Sequence, residues 1–290
     1  MRVNNETVEA SYERQRHSSQ EPYMPSCYFA PNSIDNWRHN RMRSHADGLL
    51  TAFPGASWLT VGDGTYGSDA HYLQSRGAKA IASSLVDTSL AEAVNRGWIK
   101  DYRAINAEAI DMSDDSVDFV FCKEALHHLP RPSLGLYEML RVARRGVVLI
   151  EPQDQPRPLD GLRSFAKRHL RNDTSLEFEE AGNYIYRLSV REVEKQLLAM
   201  GGQWLAYRRF NDFYLSKLAC VDHKKQPSSL ATTKLAIAAQ NLLCHSGLMG
   251  WGLCCLVATK GVPDAKVVSA LAATGFKNVD LPLNPYKSGT

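Results

Sequence analysis

The sequence predicts an α/β fold, a largely parallel sheet with helices on both faces, and three observations carry that expectation. From residue 58 onward, short β-rich apolar runs alternate with helical stretches. A glycine-rich turn, Gly62 to Gly67, joins the first of these runs to a helix. Two later runs, Val117 to Cys122 and Val147 to Ile150, are apolar almost throughout, as strands covered on both faces are.

The first strand is expected over Trp58 to Val61, followed by a helix that Ser68 would cap and Gly77 would end. Ala80 to Ser84 forms the second strand, and Ser89 with Glu92 has the spacing of a capping box that opens a helix toward Gly97. Tyr102 to Asn106 is the third strand and Val117 to Cys122 the fourth. After Pro132, Leu136, Met139, Leu140 and Ala143 recur at helical spacing before Gly146, and Val147 to Ile150 makes the fifth strand. Ser189 and Glu192 form a second capping box for a helix with Val193, Leu197 and Met200 on one face. Trp204 to Leu215 and Gly252 to Ala258 are expected to close one sheet edge.

This frame occupies residues 51–260. Three segments lie outside the minimal repeat and are expected to cover the substrate: an N-terminal cap over 1–50, an inserted lid over about 154–188, and an extension over 261–290. In the cap, Trp37, Arg38, Arg41 and His45 have spacings that share a helix face. In the lid, Arg157, Arg163, Lys167, Arg168 and Arg171 oppose only Asp160, a basic stretch suited to a phosphate-bearing or membrane-surface acceptor.

The balance of 34 basic and 31 acidic residues, a formal +3, gives no general affinity for nucleic acid. Residues 1–17 lack the apolar core of a secretory signal, so a cytoplasmic protein is expected. Leu230 to Ala258 is broken by Lys234, Gln240, Asn241 and His245 before it reaches membrane length, and reads as buried helix plus strand. The six cysteines include no Cys-x-x-Cys pair and read as buried reduced thiols. Composition leaves self-association open.

Gly62-Asp63-Gly64-Thr65-Tyr66-Gly67 lets backbone N–H groups and a positive helix end approach a ligand. Taken literally it is also the Gly-x-Gly-x-x-Gly of dinucleotide folds, with Asp87 placed 20 residues after Gly67 for a ribose, so a nicotinamide-dependent oxidoreductase stays in view. The discriminating stretch is downstream. Val117-Asp118-Phe119-Val120-Phe121-Cys122-Lys123-Glu124-Ala125-Leu126-His127-His128-Leu129-Pro130, the helix Leu136 to Val142 and Gly146 to Pro152 resemble the fourth-to-fifth-strand region of class I S-adenosylmethionine-dependent methyltransferases. Trp58 to Gly64 together with Gly182 to Tyr186 is similar, more narrowly, to methyltransferases of bacterial surface-polysaccharide gene clusters.

The resemblance implies a Rossmann-like, seven-stranded methyltransferase sheet, S-adenosylmethionine as cofactor, and a saccharide or similar polar small molecule as acceptor. Gly62, Asp63, Gly64, Thr65 and Gly67 would surround the methionine part, Ser84 and Asp87 the ribose, Asn106, Ala107 and Glu108 the adenine, and Cys122 and Lys123 the mouth. Four positions depart from the family: Thr60 and Ser84 stand where acids are usual, Tyr66 where glycine is common, and, more mildly, Asn106 where an acid is often found. The first three keep open a degenerate, non-catalytic binding protein. A hydroxyl acceptor needs a proton acceptor, and histidine titrates near neutrality, so His127 or His128 is the expected base. Glu124 would assist, and Glu151 would orient the histidine or bind acceptor hydroxyls beside Arg163, Asn183 and Tyr184. Adjacent histidines rarely aim at one ion, so no metal site is expected.

Overall fold

The computed structural model describes residues 5–20, 29–155, 158–159 and 184–283. Its N-terminal part is helical: α1 (Asn5–Gln20), α2 (Ile34–Arg43), a 3₁₀ turn over Ser44–Ala46, and α3 (Asp47–Ala52). The alternating part follows as β1 (Ser57–Val61), α4 (Ser68–Ser75), β2 (Lys79–Ser84), α5 (Thr88–Asn95), β3 (Tyr102–Ala104), β4 (Val117–Lys123), α6 (Pro132–Val142) and β5 (Ala143–Pro152). Then come α7 (Val190–Ala199), β6 (Trp204–Phe210), α8 (Ser216–Ala219), α9 (Pro227–His245), β7 (Leu253–Thr259), α10 (Ala265–Ala273) and β8 (Lys277–Asp280).

One sheet runs in the order β3-β2-β1-β4-β5-β7-β6-β8. Strands β1 to β5 pair in parallel, and β7, β6 and β8 are each antiparallel to their neighbour. The order reverses between β1 and β4, where ligands of open α/β sheets bind outside the carboxyl ends of the strands. Registers Val61↔Cys122 and Lys123↔Ile150 bring those ends level.

Both sheet faces are covered. Trp58, Phe119 and Phe121 face α3, α4 and α10, with the Trp58 and Phe119 rings stacked 4.6 Å apart. Leu59, Val120 and Leu149 face the opposite way, with Leu136, Met139, Val193 and Leu197 of α6 and α7. Each such fully buried side chain contributes about 1.5–3 kcal/mol of transfer free energy, which explains why β1 and β4 tolerate so few polar residues.

Several expectations change. The sheet has eight strands, because Lys277–Asp280 of the C-terminal extension adds β8 beside β6, at the edge away from the strand-order reversal. That part of the extension therefore completes the sheet. The fifth strand starts at Ala143 and passes through Gly146, where a Cβ would lie 3.1 Å from the Ala258 carbonyl; the glycine admits β7 and does not end a helix. Ser189 and Glu192 do form the capping box. Ser89 does not cap: α5 begins at Thr88, and the Ser89 hydroxyl donates to the Gly64 carbonyl. Ser68 makes no cap either, since its oxygen accepts from Arg43 at 2.8 Å.

The apolar stretch from Leu230 divides. β7 is buried throughout, whereas α9 buries only Thr233, Ile237 and Cys244, leaving Leu235 72% and Leu242 71% exposed. Four cysteines, Cys122, Cys244, Cys254 and Cys255, are buried free thiols, but Cys220 is exposed and disulfide-bonded, contrary to the reading of all six as reduced. No helix among the described residues is long and apolar enough to cross a membrane.

Candidate active site

The turn after β1 is built around glycines for two separable reasons. Gly62 has φ +73°, and a Cβ there would meet the Ala125 Cβ at 2.2 Å; Gly67 has φ +62° and abuts Ile99. Gly64 lies against Ser84, its absent Cβ 2.9 Å from the serine hydroxyl. Among the described residues, the backbone N–H groups of Gly64 and Thr65 donate to no protein acceptor. These two donors on an open turn suit an anionic or polar ligand group.

Asp63 does not face that ligand. Buried at 3% exposure, it accepts from the Thr60 hydroxyl at 2.8 Å and from the Asp69 and Ala70 N–H groups at 3.0 and 2.8 Å, so it caps α4 from the preceding turn. Burial and the Asp69 carboxylate push it up to about 7, against the donors. The acid missing at Thr60 has in effect moved three residues on, with Thr60 as its hydrogen-bond partner.

At the end of β2, Ser84 is half-buried beside Gly64 and supplies no charge. Asp87 stands at the N-cap position of α5, and its carboxylate makes no hydrogen bond or ion pair with the described residues. A half-buried carboxylate without a partner, beside the turn, fits a diol. At the end of β3 the candidates part company. Asn106 Oδ1 accepts from the Glu108 N–H at 2.9 Å and Ala107 packs into the core. Glu108 is closed off, because both its oxygens are taken at 2.6 Å by the N–H and Nε of Arg131. It fixes the loop leading to α6 and is not available to a base.

Beyond β4, Cys122 is wholly buried, its thiol 3.8 Å from Glu151 and pushed well up by that burial, so its side chain belongs to the core under the mouth. Lys123 reaches Asp69 at 3.8 Å, Glu124 at 3.2 Å and His39 Nδ1 at 3.3 Å, tying β4 to α4 and α2. Burial, with Lys123, Arg43 and Arg38 nearby, holds His39 well down and therefore neutral. Glu124, at φ +51°, is the partner of Lys123 and lies 3.6 Å from His39, an ion-pair role in place of the assistance to the base expected of it.

The two histidines differ. His127 is buried at 7% exposure, and its Nδ1 meets Glu151 Oε2 at 2.6 Å. Glu151 is 2% exposed; its other oxygen accepts the N–H groups of Ala125 and Leu126 at 3.0 and 2.9 Å. Burial alone would raise this carboxyl, but His127 and the two amides outweigh it and hold it below the usual range. Glu151 thus orients the histidine and, at 2% exposure, is shut away from an acceptor, which corrects its placement among the substrate ligands. His128 is half-buried, its ring 4.0 Å from that of His127 and its carbonyl accepting from Gln15 Nε2 at 2.6 Å.

That last contact places α1 across the mouth, and Tyr12 of the same helix, pushed up by burial and by Glu108, sits near Asn106 and Arg131. The four aromatic and basic residues of the cap turn elsewhere: Arg38 and Arg41 pair with Asp212, Arg41 lies 5.9 Å from the Trp37 ring, and His45 stacks on Phe210 at 4.3 Å. The inserted segment leaves and returns at one point, since the N–H of Leu188 donates to Pro152 at 3.0 Å and that of Tyr186 to the His127 carbonyl at 3.2 Å. Arg163 and Asn183, with the basic stretch around Arg168, fall outside the described residues; Tyr184 is 57% exposed two residues from that anchor.

Residues 59–150 match the family described as Methyltransferase domain. A candidate methyltransferase structure from Bacillus halodurans C-125 aligns with TM-score 0.50 at 18% identity, covering 75% of this chain and 99% of that one. The 1,6-didemethyltoxoflavin-N1-methyltransferase of Burkholderia thailandensis, solved with its substrate and S-adenosylhomocysteine, aligns with TM-score 0.51 at 13% identity, covering 90% and 92%. At these identities the likeness is one of fold. A search of curated proteins gives no match.

An α/β sheet with this strand order, bearing a glycine turn at the reversal, defines the class I methyltransferase fold, and the family match falls on the strands that carry the turn and the histidines. Residues 59–150 therefore form a methyltransferase domain of the S-adenosylmethionine-binding fold, and the pyridine-dinucleotide alternative left by the glycine spacing falls away.

Proposed function

We propose that the protein methylates a hydroxyl of a saccharide or similarly polar small molecule, with His127 as the general base and Glu151 as its orienting partner. The cofactor, when bound, would supply a sulfonium-bound methyl group, which the acceptor oxygen takes in line as the sulfur leaves as a neutral thioether. The remaining work falls to the chain. The Gly64 and Thr65 amides and the Asp87 carboxylate are suited to the cofactor's polar groups, Asp87 taking the ribose role that Ser84 cannot fill. Helix α1, through Gln15 on the His128 carbonyl, and the chain at Tyr186, on the His127 carbonyl, border the mouth and are suited to limiting the access of water.

The observation that carries this reading is the His127–Glu151 contact of 2.6 Å at the carboxyl ends of β4 and β5. A buried carboxylate on Nδ1 fixes the tautomer that makes Nε2 the proton acceptor and stabilises the imidazolium formed when a hydroxyl loses its proton. An acceptor that is already ionised, or an amine with a nucleophilic lone pair, needs no such pair before the transfer. The polar Tyr184 beside the insertion's anchor, and the resemblance to surface-polysaccharide enzymes, support a sugar.

Methyl-labelled cofactor offered with a panel of nucleotide sugars, free saccharides, amines and phenols tests the proposal. Label is expected in a base-stable ether of a sugar hydroxyl. Transfer only to an amine nitrogen would overturn it.

A further inference from the structure

A second cavity of about 720 Å³ opens between α2, the outer end of β6, the end of α9 and the start of β8, and shares no residue with the cofactor turn or the histidine pair. Its wall contains four permanent cations, Arg41, Arg208, Arg209 and Lys277, and no carboxylate. In a chain of net charge +3 this is an unusual concentration of one sign. Four arginines elsewhere are neutralised: Arg43 by Asp69, Arg131 by Glu108, Arg141 by Glu138 and Arg145 by Asp264.

Within the cavity only Arg41 has an acid, Asp212, which it shares with Arg38. Arg208 donates to the Thr274 carbonyl at 2.8 Å and pairs with no carboxylate. The side chains of Arg209 and Lys277 approach the Tyr207 ring, at 4.8 and 5.9 Å from its centroid, and make no hydrogen bond or ion pair with the described residues. The Nε groups of Arg41 and Arg209 are buried without an acceptor. An aromatic platform holds a cation in place without cancelling its charge. Like charges gathered in this way repel one another and leave guanidinium donors unsatisfied, costs that an anion entering the cavity would reverse. The volume lies within the range of small-molecule sites and exceeds the need of a single ion.

We infer that this cavity binds the phosphate or pyrophosphate group of a small molecule, at a site separate from the methyl-transfer centre. Arg208 lies on the face of β6 that carries Phe210 and Arg41, and Arg209 and Lys277 lie on the other beside Tyr207, so a phosphate at the strand's edge meets planar guanidinium forks and a point charge from both sides. The inference does not depend on the identity of the methyl acceptor.

Calorimetric titration of the full chain with inorganic pyrophosphate, uridine diphosphate and uridine, at physiological salt, tests it. Both phosphate compounds are expected to bind, with uridine silent at about 10 mM, well above a millimolar Kd. Tighter binding of the diphosphate nucleotide than of pyrophosphate assigns the site to a nucleotide; equal binding assigns it to phosphate alone. The paired substitution Arg208→Ala with Lys277→Ala removes two exposed cations and is expected to weaken binding roughly tenfold or more, while S-adenosylhomocysteine affinity stays within about twofold. Pyrophosphate that fails to bind, binds the variant equally well, or binds no better than uridine would overturn the inference.

Discussion

Replacing His127 with alanine is expected to lower methyl transfer to a hydroxyl acceptor by about 10²–10⁴-fold, the range spanned by losing a positioned general base. Affinity for S-adenosylhomocysteine should hold within about twofold, because none of the candidate cofactor contacts passes through the imidazole. The comparison that gives this meaning is His128→Ala. Glu151 holds the His127 ring and the His128 ring is the more exposed of the two, so turnover should fall only a few-fold. Glu151→Gln should produce an intermediate loss: an amide still accepts the Ala125 and Leu126 N–H groups but no longer stabilises an imidazolium. A His127→Ala enzyme with full turnover, at unchanged thermal stability, contradicts the base assignment.

Gly62→Val is expected to be the most damaging change to the fold near the site. The residue must hold φ +73°, where a β-branched side chain is strained by about 1–3 kcal/mol, and its Cβ would overlap that of Ala125 at 2.2 Å. Overpacking adds about 1–3 kcal/mol more, against a total stability of about 5–15 kcal/mol for a domain. Ala125 also donates its N–H to Glu151, so the displacement reaches the His127 pair. A clear fall in the urea midpoint, together with lost turnover in whatever folded protein remains, is the expected result; a variant that unfolds at the wild-type midpoint contradicts it.

What the sequence discloses depends on how far apart the partners are. The strands β1, β2, β4, β5 and β7 are legible because each is a short apolar run bounded by turns, and burial on both faces leaves little room for other residues. β8 is not, since Lys277-Asn278-Val279-Asp280 is polar and becomes a strand only by pairing with β6. The Ser189 capping box is read correctly because its partners lie three residues apart; the Ser89 one is misread because the hydroxyl has a better acceptor 25 residues back, at Gly64.

The same rule governs the site. The glycine turn and the histidines stand out locally, and the exchange of roles around Asp63, the closure of Glu108 by Arg131, and the His39–Lys123–Asp69 cluster do not. Helix α1 is legible only as part of a cap outside the repeat, and its partner is not, since Gln15 meets the His128 carbonyl across 113 residues. Cavity-lining Arg41 and Lys277 are still further apart, and only the folded chain makes their charges neighbours.

The central claim is that the turn at Gly64 and the carboxylate of Asp87 hold the nucleoside cofactor. Titrating S-adenosylhomocysteine into wild-type and Asp87→Ala protein measures it most directly. One site per chain, weakened about tenfold or more by removing a charge-assisted hydrogen-bond acceptor, is the predicted result. Binding equally tight in both proteins, or absent from the wild type at millimolar concentration, would contradict it.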